Sequence, residues 1–175
     1  MKAQLESERS STQDVPSTNR GGKFLTFFLK DEEYGIEILK VQEIIGVLPV
    51  TRVPRTPAYV RGVVNLRGKI IPVTDLRCKF AMEEAEANAE NCIIVVQTRG
   101  VEIGVLVDKV SEVVDIAGAE IEDVPSFGTE ISTEYLLGVG KTGDKVRLLL
   151  DIDFIVSEQE ISGIRSVKED SALAV

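Results

Sequence analysis

From residue 23 onward the chain is written in short apolar runs with turn formers between them. FLTFFL, GIEIL, GVVNL, KIIPV, CIIVV, VEIGVLV and KVRLLL are the clearest. Runs this short, rich in Val, Ile and Leu and bounded by Gly, Asn, Asp and Pro, predict strands rather than helices. Their spacing predicts an all-β sandwich or barrel. One stretch breaks the pattern: AMEEAEANAE, residues 81–90, is acidic and helix-prone and reads as a solvated connector. Ahead of the first run, residues 1–22 are polar, Ser/Thr-rich and without periodicity, and read as a disordered tail.

The pattern repeats. YGIEILKVQEI, Tyr34 to Ile44, aligns with IGVLVDKVSEV, Ile103 to Val113, at an offset of 69, with Gly, Lys, Val and Glu coinciding. YVRGV, Tyr59 to Val63, aligns with YLLGV, Tyr135 to Val139, at an offset of 76; Lys69 then meets Lys145, and Asp75 meets Asp151. An internal duplication follows, with copies at about 23–80 and 91–157. Each copy holds about five strand-like segments. That is marginal alone, so two packed copies are the expected architecture.

Composition narrows the chemistry. The chain is 43% hydrophobic but only 5% aromatic and has no Trp, so Val, Ile and Leu must build the core. It has no histidine. Ser-His-Asp and Cys-His nucleophiles, histidine-based zinc sites and phosphoryl acceptance on histidine are therefore excluded. The two cysteines, Cys78 and Cys92, read as reduced thiols. The longest apolar runs fall short of the roughly 18 residues of a membrane span, and the N-terminus lacks the apolar centre of a signal peptide, so a cytoplasmic protein without membrane insertion is expected. Asp75 and Asp151 read as helix N-caps. Asp151 and Asp153 lack the further ligands a metal would need. Gly138 to Gly143 fits G-x-G-x-x-G, but a strand-like run follows where a helix should begin, so its glycines read as hairpin turn residues.

Function is sought where the copies differ. Asn65-Leu66-Arg67-Gly68 of copy one is replaced in copy two by Lys141-Thr142-Gly143-Asp144, so the fold does not require it. Between Leu48 and Lys79 there are seven cations and one anion, within a chain of net charge −9. That predicts a positive field suited to an acidic partner. Aromatic platforms for bases are nearly absent, and with the overall charge this favours a protein partner over nucleic acid. Pro49, Pro54, Pro57 and Pro72 would help the segment present a fixed surface.

Together, YGIEILKVQEI, RGVVNLRGKIIPVTDLR, STEYLLGVG and LLLDIDFIVS resemble the CheW family of bacterial chemotaxis coupling proteins, over residues 23–160. Residues 1–22 and 161–175 lie outside the resemblance as tails. It implies a mainly β fold of two intertwined, SH3-like, five-stranded barrel subdomains with a shared hydrophobic interior. It also implies a non-catalytic adaptor without cofactors. Such an adaptor couples the cytoplasmic tips of methyl-accepting chemoreceptors to the histidine kinase CheA, whose regulatory domain it binds. Carried over by position, Asn65, Leu66, Arg67 and Gly68 match the turn near the receptor contact, and Val41, Glu43 and Gly62 match further positions tied to coupling. The repeat alone reads Val41 and Glu43 as scaffold, since KVxE occurs in both copies; the resemblance makes them site residues. Leu66 and Val41 would then form an apolar floor and Arg67 a charged lip. The alternatives are an adaptor of another chemosensory pathway such as surface motility, a small β-barrel nucleic-acid binder, and an enzyme with an Asp/Glu-Lys site.

Overall fold

The computed structural model describes residues 20–124 and 135–155. Its strands are β1 (Gly22–Leu29), β2 (Glu32–Glu37), β3 (Val41–Gly46), β4 (Val60–Leu66), β5 (Lys69–Asp75), β6 (Cys92–Thr98), β7 (Val101–Val107), β8 (Lys109–Ile116), β9 (Ile121–Glu122), β10 (Leu136–Thr142) and β11 (Lys145–Leu150). One-turn helices α1 (Leu76–Lys79) and α2 (Ile152–Ile155) follow β5 and β11. Asp75 starts α1 as expected, its carboxylate accepting the Arg77 and Cys78 amides at 3.0 and 3.5 Å. Asp151 accepts the Asp153 amide at 3.1 Å at the start of α2.

The strands form two sheets, ordered β8-β1-β2-β11-β10-β9 and β3-β6-β7-β5-β4. Neither sheet belongs to one repeat. The β1–β2 hairpin of the first copy joins the second copy's sheet, through antiparallel β1–β8 and parallel β2–β11 pairing. The β6–β7 hairpin of the second copy joins the first copy's sheet, through β3–β6 and parallel β5–β7 pairing. The two parallel seams are the same seam. Val73 faces Gly104 in one and Leu149 faces Gly35 in the other, as the offsets of 76 and 69 require.

Burial follows the exchange. Val64, Leu66, Ile71, Val73, Ile93 and Val95 fill the second sheet's interior. Phe24, Ile116, Ile121 and Leu149 fill the first sheet's. The largest cluster lies between the sheets, where Leu25, Phe27 and Ile36 of one hairpin meet Ile94, Val96, Ile103 and Val105 of the other, with Leu76, Ile152 and Ile155 from the helices. The exchanged strands are covered on both faces, which explains why CIIVV is apolar without alternation.

The interiors differ in polarity. Where the second sheet has Val95, Leu66 and Ile71, the offsets place Thr26, Thr142 and Arg147 in the first. Arg147 is only 3% exposed, with Nε 3.0 Å from Glu33 Oε1 but off the line of a hydrogen bond. Its Nη2 lies 3.7 Å from Glu112.

Several expectations need correction. The first sheet has six strands, because β9 adds two residues beside β10; its counterpart in the other sheet is a single bridge between Thr51 and Val63. Residues 81–90 form no helix. Met82 packs against the central cluster, but ten residues are too few to hold a helix in water. Arg20 pairs with Asp123 at 2.5 Å and β1 starts at Gly22, so residues 20–22, expected in the tail, belong to the fold. Gly138 and Gly140 lie within β10 rather than in a turn; a Cβ at Gly138 would come within 2.7 Å of Ile121 Cγ2 on β9. Ile38 and Leu39, expected to extend β2, form a 3₁₀ turn with Lys40. Residues 1–19, 132–134 and 156–175, which carry the rest of both expected tails and parts of two quoted motifs, lie outside the described residues.

Candidate partner-binding site

The Asn65–Gly68 stretch is the connection between β4 and β5. Leu66 pairs with Lys69, leaving a two-residue loop of Arg67 at φ 52° and Gly68 at φ 86°. This is the type I′ geometry that matches strand twist. Asn65 pins it, its side-chain oxygen accepting the Gly68 amide at 2.9 Å. Leu66 is 9% exposed and packs into the second sheet's interior, so it anchors the turn rather than lining an open floor. Arg67 is left at the tip, its side chain 72% exposed. Arg99-Gly100 makes the same positive-φ turn between β6 and β7, so the backbone at Arg67 is not peculiar to it.

The Arg67 guanidinium donates to Glu43 Oε1. Glu43 lies on β3, the opposite edge strand of the same sheet. The sheet therefore curls until an ion pair joins its two edges. Val41, at the start of β3, is partly buried against the central cluster. Gly62 lies on β4 at φ 141°, and a Cβ there would stand 2.0 Å from the Thr51 carbonyl oxygen. Its bareness lets Thr51 approach, donating to Val63 O at 2.9 Å and accepting the Val63 amide at 2.8 Å. Of the seven expected site residues, the structure brings Glu43, Asn65, Leu66, Arg67 and Gly68 together. Val41 and Gly62 lie further along their strands.

The expected positive field is largely neutralised. Arg61 donates to Asp75 from Nε at 2.8 Å and Nη2 at 2.6 Å. Arg67 pairs with Glu43, Lys69 with Glu102 at 3.3 Å, and Arg77 with Asp108. Lys79 lies 4.1 Å over the Tyr59 ring, and burial pushes its pKa down. Three of the four pairing carboxylates come from outside the cationic segment. Burial works to raise the Asp108 carboxyl, but hydrogen bonds from Arg77 and the Lys30 amide outweigh it and hold the pKa below the usual range. At Asp153 burial is likewise outweighed by hydrogen bonds from Thr98 and Lys40, and that pKa is also lowered. Among the described residues no three His, Cys, Asp or Glu side chains are placed to hold a metal, and Cys78 and Cys92 are free thiols. No described helix is long and apolar enough to cross a membrane.

Two sheets that exchange hairpins, with ion-paired edges and a stiff turn, define a β scaffold with a surface suited to protein contacts. The CheW-like domain family matches residues 23–160, and the chain belongs to the CheW family. It is 42% identical over 147 residues to the chemotaxis protein CheW of Klebsiella aerogenes, covering 84% of this chain and 89% of that one. It is 33% identical over 147 residues to a probable chemotaxis protein CheW of Rhizobium etli, covering 83% and 95%. The crystal structure of the scaffolding protein TtCheW from Thermoanaerobacter tengcongensis superposes with a TM-score of 0.73 at 35% identity, covering 80% of this chain and 95% of that one.

Proposed function

We propose that the protein is a non-catalytic adaptor at the cytoplasmic face of receptor arrays. It couples the cytoplasmic tips of methyl-accepting chemoreceptors to the histidine kinase CheA through that kinase's regulatory domain. Membership of the CheW family supports the reading, and the observation that carries the site is the Arg67 tip. A mostly exposed guanidinium stands on a turn made rigid by Asn65, Leu66 and Gly68, and it is aimed by Glu43. Exposed at the rim, Arg67 contributes through direction and charge, pairing with an acidic or amide group of the receptor hairpin. Glu43 and Gly62 act by holding the surface in place, and Val41 by seating β3. Individual contacts of this size are weak and gain from array multivalency.

Co-sedimentation with receptor-containing membranes and CheA tests this. Wild type should be retained, Arg67→Glu should lose receptor-dependent retention, and CheA binding should persist. The exchanged pair Arg67→Glu/Glu43→Arg restores the ion pair but reverses the tip. If the exchange restores retention, the pair is only scaffold and Arg67 touches no receptor. If wild type is brought down by neither partner, coupling is the wrong function.

A further inference from the structure

The loop between β3 and β4 carries two arginines to which no other described residue is paired. Arg52 and Arg55 are exposed and make no hydrogen bond or ion pair among the described residues. That is notable in a chain with 29 acidic against 20 basic residues, where four nearby cations each found a carboxylate. The two line a cleft of about 290 Å³ with Arg61, Pro54, Thr56 and Pro57.

The cleft is held open by the loop's own construction. Thr51 is bridged to Val63 by its two hydrogen bonds. Thr56 Oγ1 donates to Val53 O at 2.9 Å, and the Val60 amide donates to Pro57 O at 3.0 Å. Pro49, Pro54 and Pro57 restrict the backbone further. Arg55 sits at φ 64°, an unfavourable region for a residue with a Cβ, in which it persists only because its surroundings fix it.

We propose that this cleft docks a carboxylate-rich segment, bearing Asp or Glu, of a partner protein. Guanidinium forks match carboxylates in a bidentate way, and a prefixed loop lowers the ordering cost of that match. A stacked base is disfavoured, because no aromatic side chain lines the cleft and Lys79 lies over the ring of neighbouring Tyr59. The site is separate from the Arg67 tip. Thr51 pairs at Val63, four strand residues from Arg67, or roughly 13 Å along β4. Gly62 serves this cleft directly, since a side chain there would push Thr51 and the loop away.

The test uses the full chain, labelled decaglutamate and decaglutamine peptides, and a ten-nucleotide thymidine strand, read by fluorescence anisotropy and by NMR of the arginine side chains. Decaglutamate should bind in a salt-sensitive way and shift the Arg52 and Arg55 Nε–H signals, while decaglutamine should not bind. Arg52→Gln/Arg55→Gln should weaken binding at least about tenfold and keep receptor-dependent co-sedimentation, and Lys145→Gln on β11 should leave peptide binding unchanged, so that failure here is separable from failure of receptor coupling. The idea is overturned if decaglutamate shifts other residues only, or if the thymidine strand binds more tightly than the peptide. It is also overturned if the double variant abolishes a concentration-dependent self-association of the wild type, which would assign the cleft to a second copy.

Discussion

Replacing Gly62 by alanine should cost far more than its one methyl group implies. The added Cβ would meet the Thr51 carbonyl oxygen at 2.0 Å, the Thr51 carbonyl carbon at 2.7 Å and Val50 Cγ1 at 2.9 Å. Two of these are backbone atoms, which cannot rotate away. Either Thr51 retreats or the β4 backbone changes, and in both cases the reciprocal hydrogen bonds between Thr51 and Val63 are lost. Two backbone hydrogen bonds contribute about 1 kcal/mol each. Holding alanine at φ 141° adds about 1–2 kcal/mol. The expected loss is about 3 kcal/mol, or on the order of 10 °C in Tm for a domain of this size. Gly68→Ala is the control. Its φ of 86° carries a conformational cost, but nothing lies within 4 Å of the added Cβ, so about 1 kcal/mol is expected. Calorimetry gives both values, and hydrogen exchange at the Thr51 and Val63 amides locates the damage. Equal Tm shifts for the two variants, or Thr51 protection unchanged in Gly62→Ala, would refute the reasoning.

Other perturbations have equally definite outcomes. Arg147→Ile installs the residue that the other repeat carries at position 71 but strands the Glu33 carboxylate. Urea denaturation should show a loss of about 3 kcal/mol, with Arg147→Ile/Glu33→Gln returning most of it. Asp108 has a folded pKa below its unfolded value, so its pairing with Arg77 stabilises fully above about pH 4 and is lost as pH falls through the folded value. Urea midpoints of wild type should therefore drop between pH 5 and 3 more than those of Asp108→Asn. For stability alone, a double-mutant cycle of Arg67→Ala and Glu43→Ala should give a coupling of about 1 kcal/mol or less, shrinking with salt, because the guanidinium is mostly in water.

The strands and the duplication were legible because alternation and the recurring Gly-x-x-x-x-Lys-Val-x-Glu spacing are local. The hairpin exchange was not, since an apolar strand does not encode which neighbour it pairs with. The charge of the Leu48–Lys79 segment misled for the same reason: Glu43, Glu102 and Asp108, which neutralise it, are distant in sequence and adjacent in space. At the turn, part of the contrast between the copies is packing rather than function. Leu66 differs from Thr142 because one interior is apolar there and the other holds Arg147. The signal available for that was Arg147 itself, one charge inside the otherwise apolar run Val146 to Leu150. Gly62 is marked by the repeat, where Gly138 matches it, and by the resemblance, but the reason for its bareness is not legible, because it depends on Thr51, eleven residues away.

Because each sheet borrows its β1–β2 or β6–β7 hairpin from the other repeat, half the polypeptide is not half a protein. A single repeat would own an incomplete sheet and a spare hairpin, and only a second molecule could satisfy both needs. Tandem fusion turns that bimolecular reaction into an intramolecular one, independent of dilution. It also releases the halves from identity, so that one tip can keep an arginine while its twin keeps a glycine.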